Sequence, residues 1–319
     1  MRKTSVLATA LTVAALGLSG CGESSDASTE TENDLTIQAA PVADYAALYV
    51  GLEHDIFESH GLKVQAEVGQ SGAATVAAVM SGEVSAGGSA IVPLVNASSR
   101  DVPVRLVAPA GTSTEGREDY IGVVVAPDSD ITDIKDLSDG KIAVNGLKSF
   151  LELVTRKAVD NDGGTSTNAE FLDIPNSEMQ RAVENGQVDA AVMNEPFLSQ
   201  AQEAGLEVVG FPNKAVSEDL LISGYFVSED FANDNPQTVE NLQAAIAEAQ
   251  EYAEEHPDEV RSILEENNNA SDGSLDAIQL PRYVNEIDQA VVTETISTMD
   301  EYNFLDKPTQ VDDFVLDTP

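Results

Sequence analysis

The stretch Ala78-Val79-Met80-Ser81-Gly82-Glu83-Val84-Ser85-Ala86 returns further along the chain as Ala182-Val183-Glu184-Asn185-Gly186-Gln187-Val188-Asp189-Ala190, with five identities at a constant offset. In both copies an apolar helix end runs into a glycine, and the glycine into a strand that alternates Val with Ala. That is the pattern of a helix stopped at its C-terminal cap and followed by a β-strand. Two copies, one in each half of the chain, predict two α/β units of similar build. Chance similarity among Ala/Val/Gly-rich turns is the alternative. Each copy leads its strand to a polar patch, Ser89 in the first and Asn194-Glu195 in the second. The carboxyl ends of strands are where open α/β sheets bind ligands.

Outward from this repeat, short apolar runs alternate with helical stretches, the order of a parallel sheet covered by helices. The expected strands are 35–39, 62–68, 84–87, 104–108, 121–126, 141–144, 170–172, 190–193, 207–210 and 220–227. Between the first two, Tyr45, Leu48, Tyr49, Leu52 and Ile56 share a helical face, and Gly61 ends that helix. After Tyr225 the chain reads as wholly helical. Asn235-Pro236 opens a helix whose core face is Val239, Leu242, Ile246 and Ala249. His256-Pro257 breaks it, and a last helix carries Ile287, Val291, Ile296, Met299 and Tyr302. The expected domains are a first lobe over 35–125, a second over 126–214, and a return to the first over 215–319 with a helical tail.

The N-terminus sets the compartment. Arg2 and Lys3 precede an apolar run from Val6 to Leu18, which ends in Leu18-Ser19-Gly20-Cys21. This resembles the bacterial lipoprotein signal: residues 1–20 form the signal peptide, and Cys21 takes the lipid. A plain secretory signal or a membrane-spanning helix is the alternative. The expected location is therefore the extracytoplasmic face of the cell membrane. Cys21 is the only cysteine, so the fold holds without a disulfide. Residues 21–34 have almost nothing large and apolar to bury and read as a flexible tether, reaching roughly 20 Å from the lipid.

Sixteen basic residues against 56 acidic ones give a formal net charge of −40, which excludes nucleic acid as a partner because phosphate binding needs a basic surface. So many carboxylates read as a solvated face suited to a salty exterior that screens their repulsion.

The segments Gly51 to Val64, Gln70-Ser71-Gly72, Ser81-Gly82-Glu83-Val84 and Val102-Pro103-Val104 resemble the nitrate, sulfonate and taurine-type family of ABC-transporter solute-binding proteins, which also includes binders of thiamine-precursor pyrimidines. The resemblance continues through Ile134-Lys135-Asp136-Leu137, Gly140 to Val144, Asn185 to Ala191 and Asn194-Glu195-Pro196-Phe197, and so covers about Leu35 to Phe304. A tryptophan common in that family just before the Glu-Pro step is replaced here by Asn194. The resemblance implies a type II periplasmic-binding-protein-like fold, in which two α/β lobes are joined by hinge strands. The hinges would fall near Ile121 to Ala126 and Leu220 to Val227. It further implies a monomeric carrier that closes on a small-molecule ligand, a sulfonate-, taurine- or nitrate-like anion or zwitterion, and hands it to an ABC permease. A pyrimidine binder, a ligand sensor and an exported enzyme on a related fold are the alternatives.

Within that frame, Gln70, Ser71 and Gly72 follow a strand and open a helix. Ser71 is placed to cap it, Gly72 allows close backbone approach, and the free amides there suit an anion. Asn145, Lys148 and Ser149 hold the matching place in the second lobe, with Lys148 a candidate partner for an anionic group. Asn194 and Glu195 end the echoed strand. Glu195 is a candidate acceptor for an amino or ring N–H, or alternatively an acidic start to the next helix. Asp44, Tyr45, Ser89 and Thr112 are candidates from position alone.

Enzyme chemistry finds little footing in the sequence. His54, His60 and His256 have no metal-ligand spacing, Gly69 to Ala73 lacks the second glycine of a G-x-S-x-G elbow, and no phosphate-binding G-x-x-x-x-G-K-[ST] loop occurs. No metal or cofactor is expected.

The acidic composition makes a prediction of its own. The thermal midpoint rises as NaCl is raised, because salt screens carboxylate repulsion in the folded state; a midpoint that does not move with salt removes that reading.

Overall fold

The computed structural model describes residues 33–114, 118–268 and 278–316. The signal peptide, Cys21 and the tether up to residue 32 lie outside the described residues. In chain order the strands and helices begin with β1 (Asp34–Ala39), α1 (Ala46–Glu53), α2 (Ile56–Ser59), β2 (Lys63–Val68), α3 (Gly72–Ser81), β3 (Ala86–Ala90), α4 (Ile91–Ser98), β4 (Val104–Pro109) and β5 (Gly111–Thr112). Next come β6 (Ile121–Val125), β7 (Lys141–Val144), α5 (Phe150–Asn161), β8 (Glu170–Asp173), α6 (Asn176–Glu184), β9 (Ala190–Asn194), α7 (Phe197–Glu203) and β10 (Glu207–Gly210). The chain finishes with β11 (Ser223–Ser228), α8 (Glu229–Asp234), α9 (Pro236–Glu255), α10 (Pro257–Asn268), β12 (Arg282–Tyr283) and α11 (Gln289–Glu301).

Two five-stranded sheets result, ordered β2-β1-β3-β11-β4 and β10-β6-β9-β7-β8. Reversing the second order exposes a shared plan. In each sheet the first two strands of the unit and the third pair in parallel, and one antiparallel strand is inserted before the last. The inserted strand is in both cases the first one after the chain changes sheet: β6 going out and β11 coming back. The echoed segments occupy the same place in both halves. Gly82 and Gly186 have φ of 73° and 65°. Each donates its N–H three residues back, to Val79 and Val183, while Glu83 and Gln187 donate to Ala78 and Ala182. This paired reverse bonding is the Schellman cap, and a left-handed residue is what it needs. The strands that follow, β3 and β9, are the middle strands of their sheets. β6 and β9 are buried along their whole length, which is why they read as unbroken apolar runs.

All the expected strands are present, with shifts of a few residues at their ends. Three expectations are corrected. The strand Ile121–Val125 was placed in the first lobe and at a hinge, but it pairs with β9 and β10 in the second sheet. The chain crosses earlier, where Ala110 N–H donates to the Ser223 carbonyl, Ile222 N–H to Gly111 and Ser113 N–H to Leu220. The two crossings thus run side by side as a short antiparallel ladder. The first helix is split at Asp55, whose φ of 54° interrupts the i to i+4 ladder, and Gly61 stops only the second piece. The tail is not wholly helical, because β12 pairs with β5. No helix among the described residues is long and apolar enough to cross a membrane.

Gly87, in the middle of β3, has no room for a side chain: a Cβ there would lie 2.5 Å from Thr75 Cγ2 and 2.7 Å from Phe226 Cε1. Gly87→Ala is therefore expected to lower stability by about 1–3 kcal/mol through overpacking, read as a drop in the thermal denaturation midpoint.

Candidate ligand-binding site

A cavity of about 650 Å³ opens where the carboxyl ends of the parallel strands of both sheets face each other. Its walls come from the residues that follow β1, β2, β7 and β8, from the ends of β3 and β9, and from the face of α4. Ten of the twelve residues expected to bind ligand line it: Asp44, Tyr45, Gln70, Ser71, Gly72, Ser89, Asn145, Lys148, Ser149 and Asn194.

Two helices begin at this cavity in the same way. Ser71 caps α3, its hydroxyl accepting from Ala74 N–H at 3.3 Å, and Ser149 caps α5, accepting from Glu152 N–H at 3.4 Å. The next amides, of Gly72 and Ala73 in one helix and Phe150 and Leu151 in the other, make no hydrogen bond among the described residues, and all four residues line the cavity. Such amides carry the positive end of a helix dipole. Gly72 is required for a second reason. A Cβ there would lie 2.5 Å from Ser89 Oγ and 3.1 Å from Pro93 Cγ, so only glycine lets α3 start against the end of β3.

The cations sit at the exposed rim. Lys148 holds φ 53°, its N–H donates to Glu152 Oε2 at 2.7 Å, and its ammonium donates to the Asn303 carbonyl at 3.1 Å. Arg100 donates from Nε to Asp306. At the buried end lies the opposite charge type. Asp44, 3% exposed, accepts at Oδ1 from Ser223 Oγ at 2.9 Å and from Tyr120 Oη at 3.0 Å, while Asn194 Nδ2 stands 3.4 Å from Oδ2. Burial pushes the Asp44 carboxyl above the usual range, and the three side-chain donors partly oppose that. Tyr45 forms the adjoining wall, its ring edge-on to Tyr225.

Two expected site residues are elsewhere. Thr112 lies in the crossing ladder, in β5 and bridged to Leu221, because the chain leaves the first sheet before it reaches the cavity. Glu195 is 3% exposed and turned into its own helix. Its carboxylate accepts from Ser199 N–H at 3.0 Å and Ser199 Oγ at 2.8 Å, so it tethers the start of α7, the second of the two roles its position allowed. The cavity also takes in Asn96, Arg100, Asn176 and Ser223. Asn176 was findable, since it opens a helix after a strand as Gly72 does. Asn96, Arg100 and Ser223 carry no local signal, because a mid-helix or strand-start residue reaches the cavity only through the packing of its element.

The two walls also touch across the mouth. Asn96 Nδ2 donates to the Lys148 carbonyl at 3.3 Å, Lys157 pairs with Glu301 at 2.7 Å, and Tyr302 Oη donates to Asp160 at 2.7 Å. These contacts join α4 and the end of α11 to α5 and its flanking loop.

Glu195 generates a pH prediction. Burial raises its carboxyl from 4.5 to about 7, the bonds from Ser199 opposing. A raised folded-state pKa means that the native protein binds the proton more tightly, so stability falls as pH climbs from about 4.5 to 7 and is flat above. The loss from this group is about 3 kcal/mol. Glu195→Gln, which keeps an acceptor for Ser199, is expected to make the decline in thermal midpoint over that range shallower. The remainder belongs to Asp119, raised by burial to about 6, and to Asp44, which burial also raises. An unchanged slope in the variant contradicts this account.

Similarity to known proteins follows the geometry. No curated protein sequence matches the chain. Among solved structures, the alkanesulfonate-binding protein SsuA from Xanthomonas axonopodis pv. citri, bound to MOPS, is similar with a TM-score of 0.76 and 17% identity over 89% of this chain and 98% of its own. The periplasmic aliphatic sulphonate binding protein SsuA from Escherichia coli gives 0.74 and 16% over 90% and 93%. The periplasmic nitrate-binding protein NrtA from Synechocystis PCC 6803 gives 0.72 and 14% over 88% and 84%. At such identities the likeness establishes the periplasmic-binding-protein fold expected from the sequence. The profile of the NMT1/THI5-like family matches residues 42–260, a span that runs through both sheets and the cavity between them, and the chain belongs to that family.

Proposed function

We propose that this protein is the extracytoplasmic solute-binding component of an ABC importer, held to the membrane by a lipid on Cys21. It captures a small anion or zwitterion of the sulfonate, taurine or nitrate type between its two halves and presents it, as a monomer, to a membrane permease. The observation that carries the reading is the cavity at the facing strand ends, entered from both sides by capped helix N-termini with unbonded amides. Anions are favoured at such termini even in an acidic protein, because the donors are local and the surface carboxylates are solvated and screened. The fold likeness to proteins described as binding alkanesulfonates and nitrate supports the same class. Among the described residues the two passages between the sheets run together in the short crossing ladder, so bending there opens and closes the cleft, and the contacts across the mouth hold it shut. Closure changes the outer surface that a permease reads.

A thiamine-precursor-like pyrimidine is the second reading, favoured by the Tyr45 ring beside the Asp44 carboxylate, a wall and an acceptor for a flat N–H-bearing ring.

Isothermal titration with a panel of sulfonates, nitrate and aminopyrimidines, followed by a turnover assay on the tightest, tests the proposal. Tight binding without product is the expected result, and steady product formation would make the protein an enzyme instead. Lys148→Ala is expected to weaken an anionic ligand several-fold, a rim-charge effect that fades at high salt.

A further inference from the structure

Among the described residues, the buried end of the cavity has acceptors to spare and no cation to meet them. A carboxylate offers about four lone-pair sites, and the two short side-chain bonds to Asp44, from Ser223 and Tyr120, are both on Oδ1. Its Oδ2 has only the long 3.4 Å approach of Asn194 Nδ2, beyond ordinary hydrogen-bond length. Asn194 is 7% exposed, and its Oδ1 is buried without a hydrogen-bond partner. Asn96, on α4, likewise leaves its Oδ1 buried and unbonded. Every group that bonds the Asp44 side chain is neutral: a serine, a tyrosine and an amide. Buried carboxylates are ordinarily matched by a cation or by a full set of donors, since an unmet acceptor costs stability. Among the described residues, the cations at this cavity, Arg100 and Lys148, are at the rim and already bonded to Asp306 and the Asn303 carbonyl.

We infer that Asp44 Oδ2 and Asn194 Oδ1 seat a nitrogen group of the ligand that carries several N–H donors, so that the substrate class is a nitrogen-bearing molecule with an anionic end, and not a simple oxyanion. This rests on the carrier reading and narrows it. The ammonium or amino edge lies against Asp44 at the buried end, and the anionic group lies toward the amides that open α3 and α5 and the rim cations. The acceptor role that the sequence pattern assigned to Glu195 falls to Asp44, because Glu195 spends its carboxylate on Ser199.

Matched pairs of probes test the assignment by isothermal titration: taurine against ethanesulfonate, and 4-amino-2-methylpyrimidine against 2,4-dimethylpyrimidine. The member of at least one pair that carries N–H donors is expected to bind about tenfold or more tightly than its partner, the scale of one charge-assisted hydrogen bond. Asp44→Asn keeps the Oδ1 acceptor for Ser223 and Tyr120 and presents an amide where Oδ2 stood, so it should erase the difference in affinity between the two members of the pair. Should that variant not fold, Asn194→Ala removes the other acceptor without touching Oδ1 and should lower the same preference. Equal affinities within each pair that binds, or a preference that survives both variants, overturn the assignment and leave the carrier reading standing. When no probe binds, native mass spectrometry of gently purified protein decides. A retained molecule with N–H donors supports the assignment, and one without them overturns it. No retained molecule at all takes the carrier reading down together with the assignment.

Discussion

The antiparallel ladder between Ala110–Ser113 and Leu220–Ser223 is the constraint on which the rest of this structure depends. Each sheet receives its fourth strand from the segment just beyond one crossing, β6 in one and β11 in the other. The second sheet forms wholly between the two crossings, and the first is not complete until the chain has crossed back and added β11. The ladder places the two crossings side by side at one edge of the cleft, and among the described residues the halves also meet through the Ala43 N–H to Glu195 carbonyl bond and through side chains across the mouth. A long-range pairing of this kind must be closed against chain entropy before it is rewarded by burial. The reward is the pair of fully buried strands β6 and β9 and the β11 core that includes Tyr225 and Phe226.

That arrangement fixes where charge can be placed. The chain carries a large acidic excess, yet among the described residues its buried carboxylates are few and each is held by particular donors: Asp44 at the ladder's edge, Asp119 beside it, Glu152 in the first turn of α5 and Glu195 at the head of α7. Asp44 is tied at once to the end of β9 through Asn194, to the start of β6 through Tyr120 and to the start of β11 through Ser223. A single side chain thus touches both sheets and the cleft. Burial penalises its charged form and neutral donors offset only part of that, which leaves the buried end of the cavity acceptor-rich while the rim is cationic. In the proposed carrier this polarity along the cleft, more than its volume, selects the ligand.

Much of the fold was legible from local pattern. The echo around Gly82 and Gly186 predicted two similar units, and the structure gives both the same cap, the same φ sign and the same central strand. The strands stood out because their apolar runs are short and bounded by turn residues, and the α9 boundaries because Asn235-Pro236 and His256-Pro257 are chemical stops. The site was legible where it is made of strand ends and helix starts, as with Gln70 to Gly72 and Asn145 to Ser149. Thr112 and Glu195 were misplaced for the same reason: position after a strand says that a residue is near the cleft edge, but not which way its side chain turns once a crossing ladder or a neighbouring serine competes for it.

The sequence by itself determined the element order, the two-unit plan and the polar loops at strand ends, since these follow from periodicity, capping and composition within a few neighbouring residues. Only the tertiary structure decided that β6 belongs to the second sheet, that Tyr120, Asn194 and Ser223 converge on Asp44, and that Glu195 faces its own helix. Those outcomes depend on which distant strands share hydrogen bonds, and on how burial shifts the balance between a charged group's solvation and its partners. Neither quantity is written in any local stretch of residues.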